Sequence, residues 1–130
     1  MTLYDSSVLI AYLSGESDAM EYITAHSDER AVAPPLVLFE VYQGEVFKSG
    51  QADFDAVDQA LEWLTIVDET ADLARGAGEL QAALHSRGGA LSARDAFIAG
   101  AAYGLDERLV VADSDFDVDG IGEMLTVDFL

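Results

Sequence analysis

TLYDSSVLIAYLSG, residues 2–15, decides how the rest of the chain is read. A short β-prone run ends at Asp5; Asp5, Ser6 and Ser7 are candidate helix N-caps; the apolar stretch behind them stops at Gly15. The order is strand, turn, helix, and it recurs. Ser17 or Asp18 caps a second helix through His26, and Ala31–Ala33 is a brief strand that Pro34 and Pro35 end by starting the helix Leu36 to Lys48. Ala52 to Leu64 places Phe54, Val57, Leu61 and Leu64 on one apolar helical face, before a strand at Thr65 to Val67. Thr70 to Ser86 is helical and closes at Arg87, Gly88 and Gly89. Ser92 followed by Asp95 forms a capping-box pattern that opens a helix to Tyr103. Leu109 to Ala112 is an apolar strand, and beyond the acidic turn DSDFDVDG a last strand covers Leu125 to Phe129. Such alternation predicts a parallel-sheet α/β sandwich. With no repeat and no linker, residues 1–130 are expected to form one domain.

Composition narrows the chemistry. The 130 residues include no cysteine, which removes disulfides, thiolate zinc and a cysteine nucleophile, and leaves oxygen or imidazole as metal ligands. The uncharged stretch Ala96 to Leu105 is about half of the roughly 20 apolar residues a membrane span needs. The acidic N-terminus also lacks a basic leader, so a soluble, cytoplasmic protein is expected. The 25 acidic and 6 basic side chains give a net charge of −19, while a hydrophobic fraction of 51% argues against disorder. The acid must coat a folded body. Lys48 is the single lysine, a balance that suits a protein kept soluble in concentrated salt, and hence a halophilic source.

Most of these acids need only solvation. Four are placed differently: Asp5 ends the first strand, Asp113 ends a later one, Glu40 lies inside the apolar helix LVLFEVY, and Asp95 opens the helix AFIAGAA. In open α/β sheets the functional crevice lies at the carboxyl ends of strands, where Asp5 and Asp113 project and near which the helices return Glu40 and Asp95. Carboxylates at close range repel unless a cation neutralises them, and an all-oxygen set selects a hard ion, Mg²⁺ or Mn²⁺. Taken singly, Asp5, Ser7 and Asp95 also read as helix caps and Glu40 as a half-exposed helix residue.

With these residues in place, the sequence resembles the PIN-domain nucleases, and among them the VapC-type toxins of toxin–antitoxin pairs, over nearly its whole length. LYDSSVLIAYL is similar to the family's opening strand and Asp-x-Ser/Asn motif, which gives Asp5 and Ser7. PPLVLFEVYQG supplies the helical Glu40, ARDAFIAGAA gives Asp95, and VVADSDFD gives Asp113 with Asp115 close behind. One position departs: Val111 stands where the family often has Thr or Ser.

The resemblance implies a three-layer α/β/α fold and a metal-dependent endoribonuclease. Asp5, Glu40, Asp95 and Asp113 would hold Mg²⁺ or Mn²⁺, Ser7 would orient water or its helix, and Asp115 would support the site. The ion would acidify a water and offset charge on the scissile phosphate. It further implies a tRNA or rRNA substrate, a homodimer, and a VapB-like antitoxin covering the acidic groove, with Leu36 to Phe47 and Phe54 to Leu64 as candidate contact surfaces. Arg87, Arg94 and Arg108 flank the acids in sequence and are the candidates for RNA phosphates.

Other readings compete. Asp115, Asp117, Asp119 and Gly120 match the first half of an EF-hand calcium loop, but Thr126 stands where the loop needs Glu. Phosphoaspartyl and receiver patterns fail at Ser7 and for want of a strand-end lysine, and no glycine-rich phosphate loop occurs. His26 and His85 lie among polar residues at helix ends and read as surface side chains. A non-catalytic PIN-fold interaction module is the remaining alternative.

Overall fold

Leu3 lies in register with Val32 on one side and Leu109 on the other, so the first strand of the chain sits in the middle of the sheet. The computed structural model describes residues 1–48, 50–68 and 70–130. In chain order these form β1 (Thr2–Tyr4), α1 (Ser6–Leu13), α2 (Ser17–Ala25), β2 (Ala31–Ala33), α3 (Pro35–Phe47), α4 (Phe54–Ala60) and β3 (Leu64–Ile66). They continue with α5 (Ala71–Ser86), α6 (Ala93–Leu105), β4 (Arg108–Val111), a 3-10 turn (Ser114–Phe116), α7 (Ile121–Met124) and β5 (Val127–Phe129). The sheet order is β3-β2-β1-β4-β5, with every pairing parallel.

Parallel neighbours require crossovers, and right-handed crossovers fix the layers. Growth of the sheet from β1 through β2 to β3 carries α1 to α4 over one face; the return to β4 and on to β5 carries α5 to α7 over the other. Packing agrees, with α1 against α2 and α3, and α5 against α6 and α7. The result is the expected three-layer α/β/α sandwich. Its central strands are buried on both faces and accordingly apolar: Leu3, Val32, Ala33, Leu109, Val110 and Val111 are all in the core. Between α5 and α6 the approach is close enough that a Cβ on Gly100 would lie 2.3 Å from the Ala77 Cα.

Two boundaries differ from the sequence reading. The helix expected to run to Leu64 ends at Ala60: Leu61 caps it, the Trp63 indole donates to the Ala60 carbonyl at 2.8 Å, and Leu64 pairs with Ala31 in the ladder. Parallel pairing with β2, which continues through Thr65 and Ile66, overrides the helical period at this end. Of the apolar face assigned there, Val57 and Leu61 are buried, whereas Phe54 is exposed. The acidic turn after β4 is also more structured than expected. It holds the 3-10 turn around buried Phe116 and the short α7, which starts where Gly120 takes a positive φ of 89°.

Candidate active site at the carboxyl edge of the sheet

At β1 the chain leaves the sheet toward β2 on one side, and it later re-enters at β4 on the other. The crevice between the ends of β1 and β4 is therefore a topological switch point. Asp5 stands in it. Its backbone N–H donates to the Val110 carbonyl at 3.0 Å, and its fully buried carboxylate caps α1 by accepting from the Ser7 N–H at 3.2 Å. The Ser7 hydroxyl donates to the same Asp5 Oδ2 at 2.6 Å and accepts from the Ala112 N–H at 3.0 Å, which ties the end of β1 to the end of β4. Burial pushes the Asp5 carboxyl above its ordinary value, against the Ser7 hydrogen bonds and the Arg94 charge that pull it down.

Glu40 arrives from the second turn of α3 and Asp95 from the first turn of α6, so both helical layers deliver an acid to the same edge. Ser92 caps α6 by accepting from the Asp95 N–H at 3.2 Å, which leaves the nearly buried Asp95 carboxylate to a different partner. That partner is Arg94. Its Nε donates to Glu40 Oε2 and its Nη1 to Asp95 Oδ1. Its Nη2 donates to the Ser6 hydroxyl at 3.1 Å and stands 4.0 Å from Asp5 Oδ1. Burial works against the Arg94 charge, but Glu40, Asp5 and Asp95 outweigh it and hold the guanidinium protonated.

Three of the four expected acids thus surround one guanidinium. Asp113, half-buried, turns its Oδ1 to the Asp115 N–H at 2.9 Å and follows Ala112, whose N–H is held by Ser7; Asp115 itself is exposed. Among the described residues no three His, Cys, Asp or Glu side chains are grouped closely enough to hold an ion unaided. The donor set nevertheless fits a cation, since Asp5 Oδ1 and Glu40 Oε1 are both buried without a hydrogen-bond donor. The Asp115 to Gly120 run shows no calcium cage either: it winds into the 3-10 turn, and Asp117 and Asp119 are exposed.

The three arginines separate. Arg94 lies among Asp5, Glu40 and Asp95. Arg87 ends α5 and is paired with Glu123 at 2.6 Å. Arg108 begins β4, in register with Thr2, at the opposite edge of the sheet from Asp113. There it donates to the Tyr22 hydroxyl at 3.1 Å and faces Glu29 at 3.6 Å and Asp128 at 3.9 Å. A strand of four residues separates it from the carboxylates. Sequence reading took Ser6 only as a candidate helix cap and not as a partner of Arg94, and it missed Gln81, whose amide grips the Leu91 backbone with bonds of 2.7 and 3.0 Å. Gln81 fixes the turn that delivers Arg94 and Asp95, and no local pattern in the sequence marks it.

A family model described as the PIN domain matches residues 2–120. The fold is similar to that of VapBC2 from Rickettsia felis, solved with a DNA fragment from the promoter, at 18% identity over 98% of this chain and 97% of that one, with a TM-score of 0.79. It is similar to FitAcB from Neisseria gonorrhoeae at 16% identity over 100% and 97%, TM-score 0.79. A toxin–antitoxin complex from Klebsiella pneumoniae matches at 23% identity over 89% and 90%, TM-score 0.72. Comparison with curated proteins gives no match. Among the described residues no helix is long and apolar enough to cross a membrane.

Proposed function

The chain belongs to the PIN domain family, and from that premise we propose that it is a Mg²⁺- or Mn²⁺-dependent endoribonuclease, the toxin of a toxin–antitoxin pair. The observation that carries the reading is the convergence of Asp5, Glu40 and Asp95 from three elements on one cationic group, with Asp5 Oδ1 and Glu40 Oε1 buried and unpartnered. Burying such oxygens is costly unless a cation serves them.

Asp5, Glu40 and Asp95, with Asp113 across the crevice, would hold the ion. When bound, the ion would acidify a water and offset charge on the scissile phosphodiester, the chemistry that hydrolysis with a 3′ oxygen as leaving group needs. The chain's own residues set the stage. Ser7 fixes the Asp5 carboxylate and the spacing of β1 and β4, and Ser92 with Gln81 fixes the start of α6. Val111 is fully buried in β4 and contributes packing; the hydroxyl at this edge comes from Ser7.

The structures this chain resembles include VapBC2 and a toxin–antitoxin complex, which supports an antitoxin as partner. Exposed Phe39 and Phe47 of α3, 58% and 78% accessible, and exposed Phe54 of α4 are apolar side chains that contact with that antitoxin, or with a second copy in a homodimer, would cover.

The test is cleavage of total tRNA and rRNA in molar KCl with Mg²⁺, Mn²⁺ or EDTA, with Asp5→Asn and Asp95→Asn alongside. Cuts that need metal and vanish in both variants are expected. A folded protein that cuts nothing would point to the non-catalytic interaction module.

A further inference from the structure

The Arg94 guanidinium stands among the carboxylates proposed above to receive an ion. One planar group meets Glu40 through Nε, Asp95 through Nη1 and the Ser6 hydroxyl through Nη2, the last at 3.1 Å, with Asp5 Oδ1 4.0 Å away. We propose that Arg94 is the built-in counter-cation of this site: it neutralises the acids in the metal-free protein, and a divalent ion binds only by displacing it. The inference rests on the metal-site reading above and adds its regulation.

Charge and geometry support an exchange. Asp5, Glu40 and Asp95 without a cation would repel one another in a crevice where Asp5 is fully buried and Asp95 nearly so. A guanidinium cannot leave by losing its proton, so it can vacate the site only by rotating out. The Arg94 side chain is 39% exposed, which gives it that route, and its position in the first turn of α6 keeps the released charge at the mouth of the crevice. The fit of the guanidinium is also incomplete. Its Nη2 stops 4.0 Å from Asp5 Oδ1, and both that oxygen and Glu40 Oε1 stay without a donor. Buried carboxylate oxygens left without a donor are groups that a compact hard ion would serve better than a guanidinium, so the exchange has a driving force. While the guanidinium is in place the competent state is only fractionally populated, and apparent affinity falls by that fraction.

The probe is Mn²⁺ alone, titrated calorimetrically into the EDTA-stripped chain, with melting temperatures recorded in EDTA and in Mn²⁺. Arg94→Gln is expected to bind Mn²⁺ about tenfold more tightly than wild type. It should also melt lower in EDTA and gain more from Mn²⁺. Arg94→Lys, which keeps the charge but loses the fork, should bind a few-fold more tightly. Should the Gln variant fail to fold, the Lys variant decides by the same measure. Equal or weaker Mn²⁺ binding in the variants, with binding still abolished by Asp5→Asn, would overturn the exchange and leave the metal site standing. Absence of Mn²⁺ binding in wild type and variants alike would overturn both.

Discussion

The Ser7 hydroxyl donates to Asp5 Oδ2 at 2.6 Å, and through its acceptor bond from the Ala112 N–H the same atom spans the two strands that frame the crevice. A buried carboxylate with this support should reveal itself in the pH dependence of stability. Burial raises the Asp5 carboxyl above 3.8, so between that value and its folded value the native chain holds a proton that the unfolded chain has lost. The stability tied to that proton is fully present below 3.8 and is lost as pH rises through the folded value. In EDTA at pH 7, Asp5→Asn should therefore be more stable than wild type, and the gap should close as the pH falls through the folded value and be gone below 3.8. Ser7→Ala should cost about 1 kcal/mol and push the Asp5 carboxyl higher still, because a hydrogen bond to the charged form is gone. Urea unfolding across pH measures both.

Close packing of α5 on α6 gives a paired prediction. A Cβ on Gly100 would stand 2.3 Å from the Ala77 Cα, which is backbone and cannot swing aside, whereas one on exposed Gly78 would meet nothing within 4 Å. Gly100→Ala should destabilise by about 1–3 kcal/mol through overpacking. Gly78→Ala should stabilise by about 0.5–1 kcal/mol through helix propensity. Denaturant midpoints of the two variants should move in opposite directions.

Asp113 has two separable tasks. It caps the 3-10 turn by accepting from the Asp115 N–H at 2.9 Å, and in the proposed function it also serves the ion. Asn can still accept at Oδ1 but carries no charge. Asp113→Asn should keep a melting temperature close to wild type while losing about 100-fold or more of the metal-dependent cleavage. Asp113→Ala should lose the same activity and a further ~1 kcal/mol of stability. An Asn variant that cuts at the wild-type rate would remove Asp113 from the site.

Much of this was legible in the chain because local rules and the fold agree there. The DSS turn after β1, the Pro34–Pro35 start of α3 and the Ser92 cap each signal an element boundary by chemistry confined to a few residues. Where tertiary contacts overrule local preference the sequence was less informative. The stretch ending at Leu64 is helical in period, yet β2 claims Leu64 for the sheet. Among the candidate acids, strand ends singled out Asp5 and Asp113, a helix start Asp95 and an apolar helix interior Glu40, but spacing could not show that Arg94 sits among three of them while Arg108 sits a strand length away. Adjacency along β4 carries a residue across the sheet from one edge to the other.

Arg108 is therefore expected to matter for stability and not for cleavage. It joins α2 to the β4–β5 edge by bonding the Tyr22 hydroxyl, which also donates to Asp128 at 2.5 Å. Burial and the Asp128 hydrogen bond hold that phenol up to about 12. Arg108→Ala should lower stability by about 1 kcal/mol and leave RNA cleavage per folded molecule unchanged. A selective loss of RNA binding would return Arg108 to the substrate path.

The surplus of acid makes the last prediction, since 25 carboxylates against 6 basic groups leave −19 on a chain of 130 residues. Most of that charge is exposed and mutually repulsive in dilute buffer, where the Debye length at about 0.1 M is roughly 10 Å and spans neighbouring side chains. At about 1 M it shrinks to roughly 3 Å, and the repulsion that favours the expanded chain is screened. The few surface ion pairs, such as Arg75 with Glu79 at 3.1 Å, are weakened by the same salt. Pairs of that kind contribute little each and are far outnumbered by unpaired acids, so the net effect of salt should be stabilising. Between about 0.1 and 3 M KCl the melting temperature should rise by at least ~5 °C, which for a domain of this size corresponds to about 1 kcal/mol. A melting temperature that falls over the same range would show that the acidic coat serves something other than life in concentrated salt.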